Sequence, residues 1–347
     1  MPVWPTSGMR MADSAPLVGI TMGDPAGIGS EVIVKAYPDL RDRARVVVIG
    51  DADVMREAVT VCGSDLDVRP VEDVASVRSG PDAIDVLDLD NVSDLAYGAL
   101  REDYGAASLA YIERAIDLAV AGDIDAMTTA PINKQATKLA GSDYAGHTGM
   151  LADLTDTDHY SMMLIEEDLR VTHVSTHVPL REACDLVTED RVLSTVRVTA
   201  EALRDLGVEE PRIAVAGLNP HASDGGLLGD EDLEEIAPAV DRAADEGVDV
   251  VGPESPDTVY VQAARGDYDG VVSMYHDEGH IPIKMLGFSR GGEVSGVNMT
   301  IGLPIVRTSV DHGTAFDIAG QGVASPKSMV DAIEVAAAVA RTRTERD

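Results

Sequence analysis

Three histidines stand in three separate glycine- or proline-marked segments: His177 in Thr-His-Val-Pro-Leu-Arg, His221 in Leu-Asn-Pro-His-Ala and His276 in Tyr-His-Asp-Glu-Gly-His. Neutral imidazole is the commonest metal ligand, and three protein ligands with a fourth position open distinguish a catalytic site from a structural one. The competing reading is three ordinary histidines, each satisfied by a hydrogen bond. His173 lies four residues before His177, in a run whose β-branched residues read as strand. On a strand, residues four apart share a face but stand roughly 13 Å apart, so only one of the two could serve one metal. His280, four after His276, reads as a substrate neighbour. Asp277 either orients the His276 ring or caps a helix.

Cations are scarce here. The chain has 61 acidic and 27 basic residues and a net charge of −34, with five lysines against twenty-two arginines. Lys284 and Arg307 stand in apolar, proline-marked surroundings, where a cation suits phosphate or carboxylate and arginine offers a two-pronged grip. The acidity is spread along the whole chain, so nucleic acid and anionic membranes are poor partners. An acidic, lysine-poor surface resembles that of a halophilic protein, since the screening length shrinks to roughly 3 Å at 1 M salt; an acidic mesophilic enzyme is the alternative. Cys62 and Cys184 are too few for a disulfide framework, which fits a cytoplasmic protein. No apolar run approaches the roughly 18 residues a membrane helix needs. Residues 1–16 read as a disordered extension, with Met9 or Met11 as alternative starts.

The elements that must position these residues alternate. Residues 17–22 and 45–49 read as strands, each followed by a helix, and residues 104–121 form a helix with Leu109, Ile112, Ile116 and Val120 on its buried face. A strand over 124–129 then ends at Ala130-Pro131. Such alternation predicts an α/β fold with mostly parallel sheets. His221 and His276 follow the apolar runs 213–218 and 271–274, at the sheet edge that binds ligands in doubly wound folds. Gly23, Gly27 and Gly29 lack the Gly-x-Gly-x-x-Gly spacing, so strand-to-helix packing and direct ligand contact both remain open. We expect 17–130 plus 305–347 to form a first, discontinuous domain and 131–304 a second, with a terminal helix over 325–341.

The segments Met22-Gly23-Asp24-Pro25-Ala26-Gly27-Ile28-Gly29, Gly146-His147-Thr148, the three histidine segments and the run from Arg307 to Gly320 occur in an order that resembles the 4-hydroxythreonine-4-phosphate dehydrogenase family. The resemblance runs from about Leu17 to Val330. It implies the two-domain fold of isocitrate and isopropylmalate dehydrogenases and a divalent metal (zinc, magnesium, manganese or cobalt) on His177, His221 and His276. It also implies substrate contacts at His147, Thr148, Lys284, Asn298 and Arg307. Lys284 and His147 would be catalytic, Lys284 in proton transfer or carboxylate binding. The run Asp311-His312-Gly313-Thr314-Ala315-Phe316-Asp317-Ile318-Ala319-Gly320 looks like the non-Rossmann nucleotide loop of that group, with NAD contacts at Gly313, Thr314, Asp317 and Gly320. A homodimer with a shared active site is implied as well.

Within the family, His280 and a short insertion over 289–295 look more like the branch acting on 4-phospho-D-threonate or 4-phospho-D-erythronate. Oxidation and decarboxylation there yield dihydroxyacetone phosphate and CO2. The vitamin branch, acting on 4-phosphooxy-L-threonine for pyridoxal phosphate biosynthesis, is the alternative. Readings from other classes are a catalytically silent ligand-binding protein and a metal-dependent phosphate-ester hydrolase or acyltransferase.

Overall fold

A computed structural model describes residues 15–40, 43–144, 146–289 and 296–346. Most of the expected N-terminal extension and of the expected 289–295 insertion therefore lies outside the described residues. Two compact units emerge: the larger runs to Thr157 and resumes at Leu303, and the smaller spans Asp158–Gly302.

The first stretch contains β1 (Leu17–Thr21), α1 (Gly29–Leu40), β2 (Arg45–Gly50), α2 (Ala52–Val61), β3 (Asp67–Val71), β4 (Ala83–Asp88), α3 (Glu102–Ala121), β5 (Ala126–Thr129), α4 (Lys134–Leu139) and α5 (His147–Leu154). The smaller unit follows with β6 (Ser161–Glu166), β7 (Leu169–His173), α6 (Leu180–Leu186), α7 (Glu189–Asp205), β8 (Arg212–Ala216), α8 (Ala237–Asp245), β9 (Asp249–Glu254), α9 (Val259–Ala263), β10 (Gly270–Ser273), α10 (His276–Ser289) and β11 (Val297–Ile301). The chain returns to the larger unit with β12 (Arg307–Val310) and α11 (Lys327–Arg346). This is the mostly parallel α/β architecture expected. No helix among the described residues is long and apolar enough to cross a membrane.

In the larger unit the strand order is β3-β4-β2-β1-β5-β12, every pairing parallel. Each residue of β1 is buried, the continuous apolar pattern of a strand covered on both faces. Helix α3 ends where Gly122 adopts a left-handed conformation at φ 75°. Its buried face keeps Ile112 and Ile116 as expected and adds Tyr104, Tyr111 and Ala115, whereas Val120 is 60% exposed. The two tyrosines are the bulkiest fully buried side chains of this helix.

The division between the units falls after Thr157, later than the boundary expected at Pro131. The reason is packing. Helix α4 lies so close on α3 that a side chain at Gly105 would collide with the Ala136 carbonyl, and this holds the segment after Pro131 in the larger unit.

The smaller unit orders its strands β11-β6-β7-β10-β8-β9, with β6 antiparallel to β11 and β7 and the remaining pairs parallel. Leu164, Val171, Ala214, Val271, Val259 and Ile283 form its core. The strand expected through His177 stops at His173, because residues 174–175 turn to pair with the end of β10: Val174 N donates to Ser273 O at 2.9 Å and Ser175 N to Met274 O at 3.1 Å.

One buried side chain on α1 ties the two glycine-rich segments of the larger unit together. Glu31 is fully buried; one oxygen accepts Gly320 N at 2.6 Å and the other Gly322 N at 2.7 Å. One turn later, Lys35 Nζ donates to Gly322 O at 3.1 Å and to Ala324 O. Glu31→Gln replaces one acceptor with a donor facing an N–H. We expect the Gly320 and Gly322 amides to exchange with solvent at least roughly tenfold faster in that variant, with the β1 amides unaffected; equal exchange would mean that Glu31 does not hold the loop.

Candidate active site

Three neighbouring parallel strands, β7, β10 and β8, deliver the three histidines from their C-terminal ends: His177 follows β7, His276 follows β10 and His221 follows β8. The pairing of residues 174–175 with 273–274 brings the first two together, with ring centres 5.7 Å apart. His221 does not join that contact. It is exposed and left-handed at φ 56°, and among the described residues no group of three His, Cys, Asp or Glu side chains is close enough to hold a metal ion.

The other two histidines of this unit pack behind the pair. His173 is 2% exposed, and its ring centre lies 4.8 Å from that of His280 and 6.4 Å from that of His276. Its Nδ1 bonds to Met162 O at 3.3 Å, while Nε2 is enclosed with no hydrogen-bond partner among the described residues. Burial first, and the neighbouring imidazoles second, push His173 down to about 3, so it is neutral near pH 7. His280 stacks on His276 with centres 3.6 Å apart and planes 13° apart. His276, His280 and Lys284 recur at four-residue spacing along α10 and so line one side of it. Asp277 accepts from His276 Nδ1 at 2.7 Å, the ring-orienting alternative. Asn298 lies on β11, where its Nδ2 contacts Met162 Sδ at 2.9 Å.

Two carboxyl groups that drew no role from the sequence stand beneath the loops. Asp232, fully buried, accepts from the loop that carries His221. Glu278 accepts Met274 N at 2.5 Å, just before His276, and its second oxygen is enclosed without a partner among the described residues. Glu278 was visible inside Tyr-His-Asp-Glu-Gly-His; nothing in the spacing singled out Asp232.

In the larger unit, β1, β5 and β12 end side by side, Thr21 and Ser309 both in register with Thr129. Arg307 is 2% exposed and donates from Nη2 to Thr129 Oγ1 at 2.6 Å. Burial lowers its guanidinium to about 9. His147 opens α5, with Thr148 beside it, and its Nε2 is enclosed without a hydrogen-bond partner among the described residues. Burial, then Arg307 and Lys134, hold the His147 imidazole well below its ordinary range. Lys134, not singled out in the sequence, opens α4 behind the Asn133 cap.

The first glycine loop is explained by close packing. Gly23 is left-handed at φ 76° and leaves no room for a side chain against Pro131 O, and a Cβ at Gly27 would lie 3.0 Å from Thr314 Cβ. Ile28 N donates to Thr314 O at 3.1 Å, so this loop supports the second one. There, Gly313 borders open space and Gly320 is left-handed at φ 81° against the Tyr97 ring. Asp317 is exposed. Asp24 is 1% exposed; it accepts Ala26 N at 2.8 Å, and burial pushes it up to about 6.

Residues 42–336 match the family described as pyridoxal phosphate biosynthetic protein PdxA. The chain belongs to the PdxA family. Among curated relatives, a Symbiobacterium thermophilum protein provisionally named D-threonate 4-phosphate dehydrogenase is 45% identical over 95% of this chain and 100% of its own length. A 4-hydroxythreonine-4-phosphate dehydrogenase of Desulforapulum autotrophicum is also 45% identical, over 94% of this chain and 96% of its own. The crystal structure of a 4-hydroxythreonine-4-phosphate dehydrogenase from Klebsiella pneumoniae superposes with a TM-score of 0.85 at 44% identity, covering 94% of this chain and 98% of that one. PdxA relatives named in this way are dehydrogenases, and the chain is accordingly an oxidoreductase.

Of the three histidines, His177 and His276 have the spacing that two ligands of one metal ion would need. With metal–nitrogen bonds of about 2.0–2.1 Å, two imidazoles on one ion place their ring centres about 5 Å apart, close to the 5.7 Å between His177 and His276. Stacked rings cannot aim their in-plane nitrogens at one point, so His276 and His280 do not serve the same ion.

Glu278 generates a pH-dependent prediction. Burial of its carboxyl raises the pKa from 4.5 to about 8. At neutral pH the group is therefore protonated when folded and ionised when unfolded, and stability declines as the pH rises from 4.5 towards 8. In metal-free protein, Glu278→Gln is expected to melt several degrees higher than the parent at pH 8 and to match it at pH 4. A variant no more stable at pH 8 would show that the carboxyl is ionised in place.

Proposed function

We propose that this chain oxidises and decarboxylates a 4-phosphorylated 3-hydroxy acid, 4-phospho-D-threonate or 4-phospho-D-erythronate, with NAD as hydride acceptor. The observation that carries this reading is Arg307, buried on β12 beside His147 and Lys134. In a chain of net charge −34, a buried guanidinium at a strand end suits the two-pronged recognition of a phosphate or carboxylate. His147, Thr148, Asn298 and Arg307 hold the substrate, and Gly313, Thr314, Asp317 and Gly320 line the NAD loop.

Bound by His177, His221 and His276, a divalent ion supplies Lewis acidity towards the substrate hydroxyl and the ketone formed from it. The C3 hydrogen leaves with its electron pair for the nicotinamide, and the hydroxyl proton passes to Lys284. The bond between C1 and C2 then breaks, CO2 departs, and its electron pair enters the new ketone as an enolate. Return of the proton from Lys284 to C2 gives dihydroxyacetone phosphate. Neutral His147 serves as a hydrogen-bond partner rather than a further positive charge. A second reading, oxidation of 4-phosphooxy-L-threonine, is favoured by the equal identity to the Desulforapulum relative.

A cytoplasmic homodimer fits this reading. Both cysteines are free, and α10 exposes Ile281 (58%) and Met285 (66%) one turn apart, an apolar face that a second copy would cover.

With NAD and a divalent metal, 4-phospho-D-threonate should raise NADH absorbance and yield CO2 and dihydroxyacetone phosphate. Removing the phosphate should cost at least about one to two powers of ten in kcat/KM, the worth of one charge-assisted contact of roughly 1.5–3 kcal/mol. Full activity after chelation would remove the metal role, strong preference for 4-phosphooxy-L-threonine would move the chain to the vitamin branch, and released phosphate without NADH would favour a hydrolase. Absence of turnover with metal and substrate bound would favour a silent binding protein.

Salt provides an independent check. Carboxylate repulsion is screened within roughly 3 Å at 1 M ionic strength, so activity and dimer content should rise from dilute buffer to molar salt. Maximal activity in dilute buffer would identify an acidic mesophilic enzyme instead.

A further inference from the structure

We propose that Asp232 is the positioning residue for His221: it holds the left-handed turn that presents this imidazole and thereby sets the affinity of the metal site. The inference rests on the metal-ligand reading of His221.

The turn is unusual. From His221 to Gly226 every residue has positive φ, at 56°, 51°, 64°, 46°, 70° and 93°, and the first four are not glycine. Residues bearing Cβ are strained in this region, and a run of them persists only where the surroundings over-determine it. Asp232 supplies that constraint. It is fully buried, and its Oδ1 accepts Leu218 N at 2.8 Å. Its Oδ2 accepts Asn219 N at 3.2 Å, Asn219 Nδ2 at 2.8 Å and Ser223 Oγ at 2.5 Å. The donors stand on both sides of His221, so one carboxylate fixes the turn's entry and exit together. Gly217 completes the fit, since a Cβ there would lie 2.5 Å from Asp232 Oδ1.

Asp232 begins a π-helical turn, Asp232–Ile236, that runs directly into α8, so the carboxylate is referenced to a packed helix rather than to another loop. No other side chain accepts from both flanks of His221 in the hydrogen bonds of the described residues. Asparagine in its place would keep the size but turn one oxygen into a donor facing donors. Because Asp232 reaches the imidazole only through the backbone, its effect on metal binding must vanish once that imidazole is gone. A merely structural residue would not show this dependence.

The experiment measures Co2+ binding to the metal-free full chain by calorimetry and by the visible ligand-field spectrum, with melting temperature in parallel. His221→Ala and Asp232→Asn should each weaken Co2+ binding, Asp232→Asn by about tenfold, as expected for a group that orients a ligand. The double variant should bind no more weakly than His221→Ala alone. Unchanged affinity in Asp232→Asn beside a weakened His221→Ala, or additive losses in the double variant, would overturn the positioning role while leaving the ligand assignment intact. Unchanged affinity in His221→Ala would overturn both. Should Asp232→Asn not fold, Ser223→Ala removes one donor on the far side of His221 and must weaken Co2+ binding only when His221 is present; equal loss in both backgrounds would sink the proposal.

Discussion

Loops built from glycines and left-handed residues leave backbone N–H groups without a ladder partner, and a buried N–H must find an acceptor. At the strand ends of this chain the acceptors are carboxylates. Glu31 takes Gly320 and Gly322, Asp51 takes Val92 N together with the Tyr111 hydroxyl, and Asp85 takes Arg78 and Ser79 while paired with Arg69. Asp232 takes Leu218 and Asn219. A carboxylate offers several lone pairs in a fixed plane, and its charge strengthens each bond it accepts. One side chain can therefore hold two loop positions at once, which a neutral acceptor does less firmly. The geometry of the second glycine-rich segment and of the His221 turn depends on these clamps.

The same chain places its few cations with equal economy. Lys35 answers carbonyls of the loop whose amides Glu31 accepts, so a pair one turn apart on α1 satisfies both polarities of that backbone. Arg307 is different in kind. It is buried, its Nη2 donates to Thr129 Oγ1 at 2.6 Å, and burial lowers its guanidinium to about 9.

Periodic signals made the fold legible. Buried strands such as β1 and β2 announce themselves as apolar runs, and the glycines and prolines between them mark the turns. The residues that misled were those whose role depends on distant partners. Val120 falls on the apolar stripe of α3, but it lies in the last turn, beyond the buried Ile112 and Ile116, and is exposed. Pro131 looked like a boundary, but the missing side chain at Gly105 lets the following segment pack on α3. Site legibility divides in the same way. Histidines and glycine loops carry their chemistry in residue type and neighbours, whereas Asp232 matters through donors up to fourteen positions away, and an aspartate in an acidic helix start gives no local sign of that. His173 stands in a run that reads as strand, and it is buried at the end of β7; its contact with His276 and His280 arises only when β7 and β10 pair.

Four imidazoles crowded at the ends of two strands raise the question of what singles out His276. Part of the answer is Gly279: a side chain there would run into His173 Nε2 and come within 2.8 Å of Ser273 Oγ, so its absence lets α10 settle onto β7 and β10 despite the helical cost of a mid-helix glycine. That approach commits His280 to a stack against His276 and ties its Nδ1 to the His276 carbonyl at 2.9 Å. His276 is held from the other side by Asp277 at Nδ1. A proton shared at Nδ1 leaves the Nε2 lone pair available. His173, enclosed and driven neutral, adds bulk without adding charge. The cluster thus has a division of labour: one ring is oriented outward beside His177, one stacks on it, and one fills the space beneath, so that the imidazole facing His177 is fixed in both tautomer and tilt before any ligand arrives.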